Sequence, residues 1–322
     1  MKHLKYPNSQ ATGEGETTLF IPNSEGQATV KVNNTTGEIE AEKPDYATTY
    51  LTFEAIESGT FKFSGATSAH TLSYSLDDGT TWTSLAHNTN TPTINAGNKI
   101  MWKGNLTPQG YKGIGRFVAT GKFDAYGNIM SLLYGDNFVG QISLEGKTFA
   151  FRDIFRSNSK IVSAQNLILP ATTLASYCYQ SMFNGCTSLT TAPALPATML
   201  AGGCYYRMFR GCTSLTTAPE LPATTLAIYC YQYMFEGCKS LTTAPTLPAT
   251  TLIEYCYYNM FSRCTNINYI KMLATDISAY LAFYNWVSCV SSTGTFVKAA
   301  GVTIPTGKSG IPVGWTVQTA NV

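Results

Sequence analysis

Charge is scarce in this chain. Of its 322 residues only 12% are Asp, Glu, Lys or Arg, the 21 bases and 19 acids leave a formal net charge of +2, and there are 3 histidines. Binding a phosphate backbone needs clustered Lys or Arg, yet between Ala171 and Pro248 the only bases are Arg207, Arg210 and Lys239. Nucleic acid is therefore not an expected partner. His3, His70 and His87 lie away from most of the cysteines, and the recurring C-x7-C spacing is not a zinc spacing, so no metal or other cofactor is expected. No apolar run reaches the roughly 18 residues that a membrane span requires. The segment Met1–Pro7 lacks the apolar core of a signal peptide, which implies removal of the signal or another export route. No Ser-His-Asp order is visible, and Asp77, Asp78, Asp124 and Asp136 form no recognisable pair of the kind glycoside hydrolysis uses. The expectation is a protein without catalytic activity. Apolar content of 44% with so little charge places it among folded chains, with length enough for two cores.

What the chain does have is a repeat. A 26-residue unit is written four times without insertion, from Ala171, Ala197, Ala223 and Ala249; the first copy reads ATTLASYCYQSMFNGCTSLTTAPALP. A fixed period of this size signals units that bury their apolar face only by stacking on one another, hence a solenoid. Within a copy Leu174, Cys178, Met182 and Cys186 recur every fourth residue, which predicts one face of a short helix, capped by Thr172 or Thr173 and stopped at Gly185. Ser188–Ala192, short and rich in β-branched residues, predicts a strand ended by Pro193, so strands are expected near Thr190, Thr216, Thr242 and Asn268. Eight of the nine cysteines form two ladders, Cys178/204/230/256 and Cys186/212/238/264, with Cys289 outside them. Buried free thiols are the favoured reading because cysteine packs as a small hydrophobe. Disulfides from rung to rung stay open, whereas helical positions eight apart, about 12 Å, are too distant to bridge.

The recurring core Met182-Phe183-Asn184-Gly185-Cys186-Thr187-Ser188-Leu189 resembles the repeats of the BspA-like bacterial leucine-rich-repeat surface proteins. A degenerate leading copy keeps Phe155, Ile161, Ala164 and Pro170, but Asn158 replaces its second cysteine and two extra residues fall near Leu167-Ile168. The stretch from Gly294 to Trp315 resembles that group's closing segment, with Trp286, Phe296 and Trp315 covering the last rung. The resemblance implies an extracellular or cell-surface location and an adhesive or binding role.

Ahead of the repeats, Thr17–Ile21 and Ala28–Val32 predict two short strands about the turn signal Asn23–Gly26, and Glu38–Pro44 reads as a solvated link. From Asp45 to Glu145 the period is two: Leu51/Phe53/Ala55, Phe61/Phe63 and Leu72/Tyr74/Leu76 alternate with polar residues, predicting half-buried antiparallel strands of a sandwich; Asn128–Leu133 reads as a helical segment. Ser75-Leu76-Asp77-Asp78-Gly79-Thr80-Thr81-Trp82 resembles the Asp box of sialidase propellers, but a single box argues for a turn-holding device rather than a propeller. Gly301–Ser309 has one residue too many between its glycines for a phosphate-binding loop. The expected fold is α+β and β-rich: an N-terminal β-hairpin arm over 1–43, an antiparallel β-sandwich over 44–145, a short leucine-rich-repeat solenoid over 146–293 and a C-terminal cap over 294–322.

Positions that differ between near-identical copies are where specificity can change without loss of the fold. Arg207, Tyr233 and Glu236 are such positions, and beside them run Tyr179, Tyr205, Tyr206, Tyr231, Tyr257 and Tyr258. Rows of rigid aromatics suit protein contacts or sugar faces; the bland alternative is a tyrosine ladder that merely packs between copies. The expectation is a monomeric binding or adhesion protein that presents this face to a protein or glycan. A glycan-active enzyme with its site in the sandwich or at the junction is the alternative, as is a phage structural or receptor-binding protein.

Overall fold

The computed structural model describes the strands Glu16–Asn23 (β1), Gly26–Asn33 (β2) and Ile39–Ala41 (β3), and residues 45–320 apart from Ser68 and Thr71. The chain divides after Asp45. In the first unit β1, β2 and β3 form an antiparallel sheet in that order, with Thr17 opposite Val32 and Val30 opposite Ala41. The two expected strands are present. The stretch read as a solvated link supplies the third, because Glu38-Ile39-Glu40-Ala41 carries the alternation of a strand.

The second unit, Tyr46–Val322, contains β4 (Leu51–Ala55), β5 (Phe61–Gly65), β6 (Leu72–Ser75), β7 (Thr83–Leu85), β8 (Lys99–Lys103), β9 (Gly115–Ala119) and β10 (Phe123–Asn128). A one-turn helix follows, α1 (Ser131–Tyr134), then β11 (Ile161–Ser163), β12 (Leu167–Ile168), β13 (Tyr269–Met272), β14 (Thr295–Lys298) and β15 (Thr316–Thr319). The main sheet runs β11-β10-β4-β8-β6-β7, with β12 also on β10. It is mixed: β4 pairs antiparallel with β10, whereas β11 and β12 run parallel to β10. The β5–β9 ribbon packs on its inner face, where the Phe53 ring lies 5.2 Å from Phe61 and 4.9 Å from Phe117, and Trp102 lies 5.0 Å from Phe117. Phe155, from the leading copy of the repeat, enters the same core 5.8 Å from Phe53.

Two parts of the expected architecture are overturned. The region after Asp45 is a mixed sheet backed by a two-stranded ribbon, not an antiparallel sandwich. The repeats do not form a leucine-rich-repeat solenoid: no helix lies within them among the described residues, and the expected strands shrink to single parallel bridges such as Thr191 to Thr217, widening to a strand only at β13.

What replaces the helix is a chain of turns. In the first copy the backbone is left-handed at Tyr177, Ser181 and Gly185 (φ 55°, 54° and 76°), and the same positions are left-handed in the next three, as at Gly203, Arg207 and Gly211. Between these points the N–H groups alternate. Cys178, Gln180, Met182, Asn184 and Cys186 donate within the copy to the carbonyl three residues back, whereas Tyr177, Tyr179, Ser181, Phe183 and Gly185 donate to carbonyls of the following copy, Gly202, Cys204, Tyr206, Met208 and Arg210. Buried backbone groups must be paired, and here each copy completes the pairing of its neighbour. The period is therefore four, and it turns an adjacent pair inward at each step: Cys178 with Tyr179, then Met182 with Phe183, all fully or nearly fully buried.

At the far end the segment that imitates a phosphate loop lies against the last copy. Asn285 and Val287 donate to Ser309 Oγ (2.9 Å) and the Lys308 carbonyl (3.3 Å), and the buried Trp286 indole donates to the Gly310 carbonyl at 2.8 Å. No helix of the described residues is long and apolar enough to cross a membrane.

Candidate binding face

The tyrosines of the repeats fall into two layers. Tyr179, Tyr205, Tyr231 and Tyr257 are each at most 2% exposed and stack ring on ring at 5.8, 5.9 and 6.1 Å. Burial drives all four hydroxyls well above their ordinary pKa of 10. These four candidates are thereby removed from the surface: each belongs to an inward pair with the cysteine before it, so the ladder is core. Glu236 is also largely buried, and its carboxylate accepts a hydrogen bond from Arg210 Nε.

Tyr206, Arg207, Tyr233 and Tyr258 remain half-buried and come together. The Tyr206 and Tyr233 rings meet edge to face at 6.0 Å, Tyr233 and Tyr258 lie 5.5 Å apart, and Tyr258 reaches Tyr284 of the trailing copy at 5.3 Å. The Arg207 guanidinium is held between two of these rings, 4.8 Å from Tyr206 and 5.0 Å from Tyr233, and its Nε is buried without a partner. Such cation–ring contacts contribute about 0.5–1 kcal/mol when exposed and more when dry. Burial raises the Tyr206 hydroxyl, with Arg207 pulling it back. The left-handed backbone at Arg207 and Tyr233 (φ 56° and 58°) sets both side chains outward from the turn chain.

Sequence reasoning did not single out Tyr177, Tyr229, Tyr255, Tyr280 and Tyr284, which widen the face. Tyr229 contacts Tyr255 at 5.1 Å, and Tyr255 contacts Tyr258 and Tyr280, both at 5.7 Å. The signal was present: Tyr177, Tyr229 and Tyr255 share one repeat position, whose fourth occupant is Gly203. That glycine is left-handed and has no room for a side chain, because a Cβ there would lie 2.2 Å from the Tyr177 ring.

A groove of about 370 Å³ is lined by residues that include Asn184, Arg210, Glu236, Lys239 and Arg263. Arg210 holds its proton more firmly than usual, chiefly through its hydrogen bond to Glu236, and lies within electrostatic reach of Tyr206 and Tyr233. The Arg210 N–H donates to the Arg207 carbonyl at 3.2 Å, so groove and face are neighbours along the turn chain.

The other motifs resolve as follows. The Asp77 carboxylate accepts bonds from Thr81 N (2.9 Å), Thr81 Oγ1 (2.6 Å) and Ser75 Oγ (2.7 Å), which hold it down at about 2, while the Trp82 indole donates to the Gly79 carbonyl at 3.0 Å. It ties the turn between β6 and β7. Asp136 is taken by Lys103 (2.8 Å) and Tyr50 Oη (2.7 Å). Asp124 lies opposite Glu54 in the β10–β4 register, and burial, then a backbone bond to Ser163 acting against it, and the Glu54 charge leave its carboxyl raised. The eight ladder cysteines are free and buried, whereas Cys289 is exposed. The inner thiols of the second ladder donate back to the preceding copy, as Cys212 does to the Phe183 carbonyl at 3.1 Å. Comparison with protein-family models, curated proteins and solved structures finds no match to this chain.

Proposed function

We propose that this protein is a non-enzymatic binding or adhesion protein acting at a cell surface or after secretion, and that the half-buried tyrosine face of the repeats is where it holds its ligand. The observation that carries this is the second tyrosine layer. The core ladder already satisfies the packing of the copies, yet Tyr206, Tyr233, Tyr258 and Tyr284 add a further row of rings with Arg207 clamped among them. Rigid aromatics held by a cooperative backbone present contact area with little entropy left to lose. The resemblance of the repeat core to BspA-like surface proteins supports the same reading.

A ligand identified on a glycan and protein array should lose affinity for the double variant Tyr206→Ala/Tyr233→Ala by about 2 kcal/mol or more, the range of hot-spot anchors, with a melting temperature close to that of the parent. Tyr231→Ala should instead lower the melting temperature, since it empties a core position worth roughly 3–5 kcal/mol. Unchanged affinity in the double variant would place recognition elsewhere.

A further inference from the structure

The chemistry of the face narrows its ligand. We infer that it takes an acidic polysaccharide, a linear sugar chain carrying carboxylate or sulfate groups; this rests on the binding-face reading above.

Three observations converge. The first is charge. In a chain poor in charge, Arg210, Lys239 and Arg263 line one groove of the repeats in which Glu236 is the single carboxylate, and Arg207 is one turn away, its carbonyl accepting from Arg210 N at 3.2 Å. Arg210 is committed to Glu236, but Arg207 makes no ion pair among the described residues and its guanidinium is held between the two rings. A planar guanidinium fixed in this way is pre-organised for a carboxylate or sulfate.

The second is the repeat of the rings. Tyr206, Tyr233, Tyr258 and Tyr284 follow one another at 6.0, 5.5 and 5.3 Å, one ring per copy. Tyr206, Tyr258 and Tyr284 share one repeat position and Tyr233 stands one residue further on, and the interval is comparable to the advance per residue of an extended sugar chain, so a linear polymer can meet one ring at each unit. The third is the backbone. Along the turn chain the N–H groups are used within their own copy or by the next one. An extended acidic peptide, whose usual mode of docking is to add main-chain hydrogen bonds to an open edge, has few donors to find here; rings and cations are what the face offers.

The test uses the full chain against four probes: heparin for sulfate, polygalacturonate for carboxylate, neutral dextran, and poly-L-glutamate as the acidic polypeptide. Binding is expected to heparin or polygalacturonate, or both, weakening as salt rises. Arg207→Gln and Arg263→Ser should each reduce it by roughly tenfold or more, while Lys103→Gln, a cation of the main sheet, should leave it unchanged. Because Arg207 lies on a strained turn, Lys239→Gln, at an exposed position, is a second reading of the same charge. Dextran or poly-L-glutamate binding as tightly as the acidic sugars would overturn the inference, as would full affinity in the Arg207, Lys239 and Arg263 variants. If those cation variants bind normally but Tyr206→Ala/Tyr233→Ala does not, the acidic ligand is wrong and the binding face stands. If neither set matters, both are wrong.

Discussion

A cysteine thiol reacts as its thiolate, and burial pushes Cys178 and Cys256 up to about 12 while leaving them no access to solvent. Cys289, outside the ladders, is exposed. Native protein treated with an alkylating agent near pH 8 should therefore take up one equivalent, and the unfolded chain all 9. Mass measurement before and after denaturation decides this, and uptake of several equivalents by native protein would mean that the copies separate readily. The same burial explains how adjacent tyrosines come to have opposite roles. Tyr205 and Tyr206 are identical in chemistry, yet the first stacks in the core and the second lies on the face, because one step of the turn chain turns its neighbours in opposite directions.

The element that defines the repeats is the four-residue turn closed by a left-handed residue. A non-glycine residue in that conformation costs roughly 1–2 kcal/mol, and the structure accepts this cost at Ser181, Arg207, Tyr233 and Asn259. The compensation is complete use of the backbone, half within the copy and half across copies. At the half-exposed Asn259 (φ 53°), glycine should be tolerated or mildly stabilising, whereas valine, whose branched Cβ is poorly accommodated at positive φ, should lower stability by about 1–2 kcal/mol. A helix at this position would give a different order, since glycine inside a helix costs about 1 kcal/mol relative to alanine. Thermal or urea unfolding of the two variants separates the cases. The helix expectation arose because Leu174, Cys178, Met182 and Cys186 recur every fourth residue. An α-helical face also uses the third and seventh positions; here Tyr177 and Ser181 stand at those offsets from Leu174. The strict period of four was the available sign of turns.

At the scale of the molecule, the stacked copies concentrate groups that must stay protonated. Eight thiols and four core tyrosines titrate in the unfolded chain near pH 8.5 and 10, but burial raises them in the folded one. The folded pKa lies above the unfolded value, so the folded state binds more protons at high pH. Stability is then intact below about pH 8.5 and falls as pH rises, by about 1.4 kcal/mol per pH unit for each group already ionised in the unfolded chain. Unfolding between roughly pH 9 and 11 should be cooperative, with the core tyrosines ionising in the same step as loss of structure. Ionisation of all 20 tyrosines with circular dichroism unchanged would contradict the burial of the ladder.

The repeat, its register of 26, its inward cysteines, methionines and phenylalanines, and most of the alternation before it were legible in the amino-acid order, although Leu76, expected on the buried face with Leu72 and Tyr74, lies exposed past the end of β6; burial imposes a period on composition whatever backbone carries it. The same holds for the turn tied by Asp77, whose local bonds span only a few residues. Which backbone carries the period was decided by tertiary structure. A turn chain leaves alternate N–H groups unpaired until the next copy arrives 25 residues later, so its stability exists only in the stack and no single copy reveals it. The binding face was partly hidden for the same reason. That Tyr206 and Tyr233 are surface while Tyr205 and Tyr231 are core, and that Arg207 is clamped between two rings from successive copies, depends on the direction in which each left-handed residue turns its neighbours, a property of the assembled chain that local propensity does not encode.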